Sequence, residues 1–130
     1  MKTSIQKLIS SAVLGLVLLS QSLPTWAGST FTFDVQVGAN YGRGPMTWAR
    51  YSPDNQQYIG CSFEYSSSSP FITCSARDNT GKSSVCTSTN GKMFAAVRTI
   101  TDSSIIHFLS NQGSPTCTYL SVTNNSGTLK

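Results

Sequence analysis

Four cysteines, Cys61, Cys74, Cys86 and Cys117, set the tightest limit on what this 130-residue chain can become. All of them lie downstream of a segment with the form of an export signal. Lys2 and Lys7 precede an uncharged, largely apolar run over residues 8–20, and Gln21, Ser22, Pro24, Thr25 and Ala27 then form a polar, small-residue region with a Thr-Trp-Ala cleavage site. The run is shorter than the roughly 20 residues that span a bilayer. The expected product is a signal peptide over residues 1–27, cleaved after Ala27, and one small domain over residues 28–130 with no stable membrane insertion. No cysteine opens that domain, which argues against a lipid anchor. The short leader suits a bacterial exporter, so the expected location is the periplasm or the cell exterior.

An even cysteine count in a small exported domain reads as two disulfides. The rival reading is a four-thiolate zinc site. Successive spacings of 13, 12 and 31 residues lack its paired Cys-x-x-Cys motifs. Neither a metal nor a cofactor is expected.

Charge narrows the partners. The formal charge of +4, less the two leader lysines, leaves +2, with Arg43, Arg50, Arg77, Lys82, Lys92, Arg98 and Lys130 scattered among five acidic residues. A nucleic-acid surface needs a clustered basic stripe to displace counterions from phosphates, so nucleic acid is excluded as the expected partner.

Ser, Thr, Asn, Gly and aromatics dominate the domain, and β-branched residues recur in short runs, a composition that favours sheet. Phe31, Phe33, Val35 and Val37 alternate with Thr32, Asp34 and Gln36 as a half-buried strand. Residues 38–45, with three glycines and a proline around Tyr41 and Arg43, read as a mobile loop. Residues 46–51 and 58–65 flank Pro53, Asp54 and Asn55 and read as a hairpin. A serine run then leads into a strand at 71–76, which Asn79, Thr80 and Gly81 turn back toward residues 83–86. The period then changes. Met93, Phe94, Val97 and Ile100 recur at helical spacing behind possible N-caps, giving one short helix over about residues 90–99. Residues 104–109 and 116–122 close as a last hairpin, with Ile106, Phe108, Leu120 and Val122 on one face and His107 and Tyr119 on the other. Residues 123–130 read as a frayed polar tail.

The expected fold is therefore α+β: an antiparallel sheet of about five to six strands, stapled by disulfides, with one short helix on one face. An all-β sandwich or barrel is the alternative. If the turn at residues 79–81 is symmetric, residues whose numbers sum to about 160 face one another. Cys74 then opposes Cys86, which leaves Cys61 to pair with Cys117. The serine turn sets Cys61 near Cys74 as the competing geometry.

Chemistry-bearing patterns are sparse. His107 is the single histidine, and no Gly-x-Ser-x-Gly elbow or paired-carboxylate motif accompanies it. Asp54-Asn55 and Asp78-Asn79 read as turn residues and not as calcium ligands. No catalytic residue is assigned, and the chain is expected not to be an enzyme; a small hydrolase using His107 is the less favoured reading. Amphipathic rings are the more informative set. Tyr41, Arg43, Trp48, Arg50 and Tyr51 form the candidate binding residues of a module that recognises a protein partner, as inhibitor or adaptor, or alternatively a glycan. A structural surface protein without a small ligand is the remaining class.

Overall fold

The computed structural model describes residues 32–128, so the signal segment, its cleavage site and Phe31 lie outside the described residues. Seven antiparallel strands form two sheets. One contains β1 (Gln36–Val37), β2 (Tyr41–Pro45), β6 (Ser104–Ser110) and β7 (Cys117–Asn124), in the order β1-β2-β6-β7. The other contains β3 (Tyr58–Tyr65), β4 (Pro70–Arg77) and β5 (Ser83–Ser88), in chain order. Two short helices, α1 (Met46–Arg50) and α2 (Gly91–Val97), complete the fold. The chain is β-rich with minor helix; its strands are divided between two sheets and its helices number two among the described residues, where the leading expectation was one sheet with one helix and the alternative an all-β sandwich or barrel.

Alternation decides which face each strand buries. Along β4 and β6 every second residue is buried, and Ile72, Ile106 and Phe108 are fully enclosed. The core lies between the sheets and also takes in Val35, Val37, Ile59, Ala76 and all of Cys74, Cys86 and Cys117. The first segment keeps the expected alternation, with Val35 and Val37 buried and Thr32, Asp34 and Gln36 exposed, although only Gln36–Val37 is paired as strand.

Two readings of the N-terminal half are corrected. Residues 38–45 are not a mobile loop, because Tyr41–Pro45 forms β2, held between β1 and β6. Its glycines serve close packing. A Cβ on Gly42 would stand 2.5 Å from the Phe108 ring and 2.6 Å from the Ala76 Cβ, so the backbone passes where a side chain cannot. Residues 46–51 are not a strand either. Pro45 is extended at the N-cap, with φ −83° and ψ 131°, and Met46–Arg50 makes a single helical turn, closed where Ser52 Oγ donates to the Ala49 carbonyl at 3.0 Å. Polar Thr47 and Arg50 interrupt the apolar residues, and a five-residue segment is too short for period alone to separate helix from strand.

The later elements follow the sequence closely. Cys74 opposes Cys86 and Ile72 opposes Ser88 across the turn, where Gly81 takes φ +87°. Asn90 caps α2, its side chain accepting from the Lys92 N–H at 2.9 Å. Phe108 opposes Leu120, and Ile106 opposes Val122. The tail is not frayed throughout: β7 runs to Asn124, and Ser126–Thr128 forms a 3-10 turn.

The expected disulfides, Cys74–Cys86 and Cys61–Cys117, are both overturned. The bonds are Cys61–Cys74 and Cys86–Cys117. Cys74 directly opposes Cys61 on one side and Cys86 on the other, so three cysteines stand abreast across the sheet. Strand geometry separates the two neighbours. A residue points its N–H and C=O to one side, so it forms a hydrogen-bonded pair with one flanking strand and a closer, non-hydrogen-bonded pair with the other. The 4.0 Å Cα separation of Cys61 and Cys74 marks the close pair. Cys86 is thus the hydrogen-bonded neighbour and turns to Cys117 on the opposite sheet, 5.0 Å away between Cα atoms. One bond locks a hairpin and the other ties sheet to sheet. Two disulfides imply an oxidising compartment such as the periplasm or the cell exterior, and no helix of the described residues is long and apolar enough to cross a membrane.

Candidate functional site

The five candidate binding residues fall into three places. Arg50 and Tyr51 line a groove between α1 and the start of β3, of about 480 Å³, whose other walls include Met46, Ala49, Tyr58, Ile59 and Asp102. Tyr41 and Arg43 lie on the outer face of the β1-β2-β6-β7 sheet. Trp48 is half-buried beside the groove, and its Nε1 donates to Asp34 Oδ1 at 3.1 Å.

The groove is built by a polar brace beneath it. Gln57 is buried, yet its amide is bonded at both ends: Oε1 accepts from the Val35 N–H at 2.6 Å, and Nε2 donates to Asp34 Oδ1 at 3.0 Å and Asp54 Oδ2 at 2.6 Å. Asp34 also accepts from Asn79 Nδ2 at 2.9 Å, joining the N-terminal segment to the turn before β5. The Gln57 amide, with the backbone N–H of Gln56, holds the Asp54 carboxyl at about 2, below its usual 3.8. On the opposite wall the Thr47 hydroxyl donates to the Asp102 carbonyl, fixing α1 to the loop before β6. Replacing Gln57 by Ala leaves the buried Val35 N–H without a partner, and is expected to lower the unfolding free energy by about 2 kcal/mol in urea titration.

Two exposed rings stand at the groove mouth. Tyr51 is 56% and Tyr58 44% exposed, whereas Ala49 and Ile59 behind them are buried. Arg50 lies over the Tyr51 ring at 5.9 Å and pairs with Asp102 at 4.0 Å. Both partners of that pair are largely solvated, so it orients the rim and contributes little to stability. Two amphipathic rings over an apolar floor, with one cation and one carboxylate at the rim, can bury an apolar side chain and hydrogen-bond its surroundings. The candidate set drawn from the sequence omits Tyr58, Met46, Ile59 and Asp102. They come from three separate stretches of chain, and Met46 lies in a segment whose sequence reads as strand.

On the outer sheet face, His107 contacts Tyr41 and Tyr119, with ring centroids at 6.4 Å and 5.4 Å, as the shared face of the last hairpin implied. Arg43 sits opposite His107 in register and reaches the Phe33 ring at 5.6 Å. Partial burial, then the Arg43 charge, lower the His107 pKa from 6.5. Arg43→Gln removes the second cause and leaves the first. The imidazole is expected to titrate at higher pH in that variant than in the wild type, read from its ring proton shifts by NMR, and an unchanged or lower midpoint would contradict the assignment. Among the described residues, neither a carboxylate nor a serine hydroxyl is hydrogen-bonded to the ring.

A second groove, of about 400 Å³, is lined by Ser66, Ser69, Phe71, Thr87, Thr89 and Thr116 among its walls. Its lining is rich in hydroxyls and holds no charged side chain. Comparison with protein-family models, with curated proteins and with solved structures gives no match to this chain.

Proposed function

We propose that this protein is an exported binding module that recognises a protein partner, as inhibitor or adaptor, through the groove between α1 and β3. The observation that carries the reading is the exposure of Tyr51 and Tyr58 at the mouth of an apolar groove. Tyrosine and arginine are enriched where interfaces concentrate their binding energy, and Arg50 lies over the Tyr51 ring and pairs with Asp102. The disulfides support the reading by holding β3 to β4 and one sheet to the other, which lowers the ordering cost of binding.

Binding is favoured over catalysis because His107, the base a hydrolase would depend on, is packed between two tyrosine rings on a different face from the groove. Glycan binding is the second reading, favoured by the uncharged hydroxyl-lined groove with Phe71 in its wall. The test is affinity capture with the oxidised, exported protein from envelope and culture-supernatant fractions of its host, repeated with Tyr51→Ala and Tyr58→Ala. Each variant is expected to retain the far-ultraviolet circular dichroism of the wild type and to lose at least tenfold in partner affinity, which is about 1.4 kcal/mol. Retention of full affinity by both variants would overturn the groove as the site.

A further inference from the structure

Resting on the groove as a protein-binding site, we infer that the partner presents an extended segment that adds as a strand to the free edge of β3. Three observations converge on that edge. In sheet order β3 is outermost, and among the described residues its backbone pairs with β4 alone. The close Cys61–Cys74 pair fixes which groups are left over. Cys61, and with it Ile59 and Phe63 two residues either side, turn their N–H and C=O away from β4 and toward the open edge. An eight-residue strand thus offers a row of unpaired donors and acceptors at strand spacing, which is what an added strand requires.

The edge also lacks the features that discourage pairing. Its sequence, Tyr58 to Tyr65, has no proline and no Lys or Arg, and its one charge is Glu64 near the far end. Long edges in monomeric proteins are usually interrupted by such residues or covered. Gly60 leaves further room: a Cβ there would meet nothing within 4 Å, and glycine within a strand marks a place where another backbone approaches closely. The Cys61–Cys74 bond prevents β3 from slipping against β4, so the template keeps one register.

The other edges are less available. β1 has two residues. On β5, Thr87 N–H already donates to the Pro115 carbonyl at 2.6 Å. β7 is also an outer strand, but none of its residues lines the groove. Only β3 runs out of a groove with exposed rings. A strand laid along it carries a side chain past Ile59 into the space between Tyr51 and Tyr58, so the partner segment is an extended, uncharged stretch with an apolar residue at that position.

The test uses peptides of twelve residues, selected from a phage-displayed library on the oxidised protein and required to lose binding to Tyr58→Ala. A synthetic copy of a selected peptide is then N-methylated at one position at a time, so the protein itself is unaltered. The inference expects methylation at alternate positions to weaken binding at least tenfold and methylation between them to change it little. It also expects the Ile59, Cys61 and Phe63 amides to gain hydrogen-exchange protection in the complex. Groove-dependent binding with no alternation and no protection of those amides would overturn strand addition and leave the groove as a protein site. Failure to select any peptide that depends on Tyr58 would overturn both.

Discussion

Replacing Cys86 and Cys117 together by alanine is expected to lower the unfolding free energy by about 4 kcal/mol. The sequence separation is 31 residues, and loop-closure entropy alone assigns about 3.7 kcal/mol to a loop of that length at 25 °C. Both sulfurs are also buried between the sheets, so their packing contacts are lost with the bond. The corresponding Cys61→Ala and Cys74→Ala pair closes 13 residues, for which the same entropy is about 2.9 kcal/mol. A domain of this size has a total stability of about 5–15 kcal/mol. The first variant therefore loses a larger share of that total than the second. Urea unfolding of the two variants against the oxidised wild type makes the comparison. Equal losses, or a larger loss from the hairpin bond, would contradict the role of Cys86–Cys117 as the tie between sheets.

Gly42→Ala is expected to cost about 2–3 kcal/mol, and Gly42→Val to prevent folding. The added Cβ falls 2.5 Å from the Phe108 ring and 2.6 Å from Ala76, in the middle of a core where overpacking is relieved only by moving backbone. Gly60→Ala is the matched control. It sits in a strand of the other sheet with open space around the new methyl group, so its unfolding free energy is expected to stay within about 0.5 kcal/mol of the wild type. Thermal or urea unfolding of both variants reads the contrast. A Gly42→Ala protein as stable as wild type would mean that β2 does not pass between Phe108 and Ala76 as described.

Glycine is also where sequence and structure part most clearly. In residues 38–45 a high glycine content and a proline suggested a loop, because those residues punctuate turns far more often than they line strands. Gly42 is required by a ring more than sixty residues away in the chain, and nothing local announces that contact. The β4-β5 and β6-β7 hairpins were legible for the opposite reason. Their turns are short, β5 and β6 alternate regularly, and each residue's partner lies nearby in sequence. The same locality misled the disulfide assignment. The turn correctly set Cys74 opposite Cys86, but whether that pair is the hydrogen-bonded or the close one depends on how β4 also meets β3.

The site was legible in part. Arg50 and Tyr51 carry a local signal, an amphipathic ring next to a cation, and they line the candidate groove. Tyr58 and Ile59 reach it only because Met46–Arg50 is helical, which brings residues 46–51 alongside β3 rather than pairing them with it. Asp102 arrives from a loop that the sequence identified only as the end of a helix. Trp48, another of the candidate rings, is instead bonded to Asp34 and takes its place in the brace below. Tyr41 and Arg43 belong to a separate surface with His107 and Tyr119.

Site-specific photo-cross-linking in the living host tests the central claim most directly. A photoreactive phenylalanine derivative placed at Tyr58 reports on the groove, and the same residue at Tyr119, which is 45% exposed on the opposite surface, serves as the comparison. The groove reading predicts a discrete protein adduct from position 58, lost when Tyr51→Ala is added, and none of that mass from position 119. The same adduct from both positions, or from position 119 alone, would contradict it.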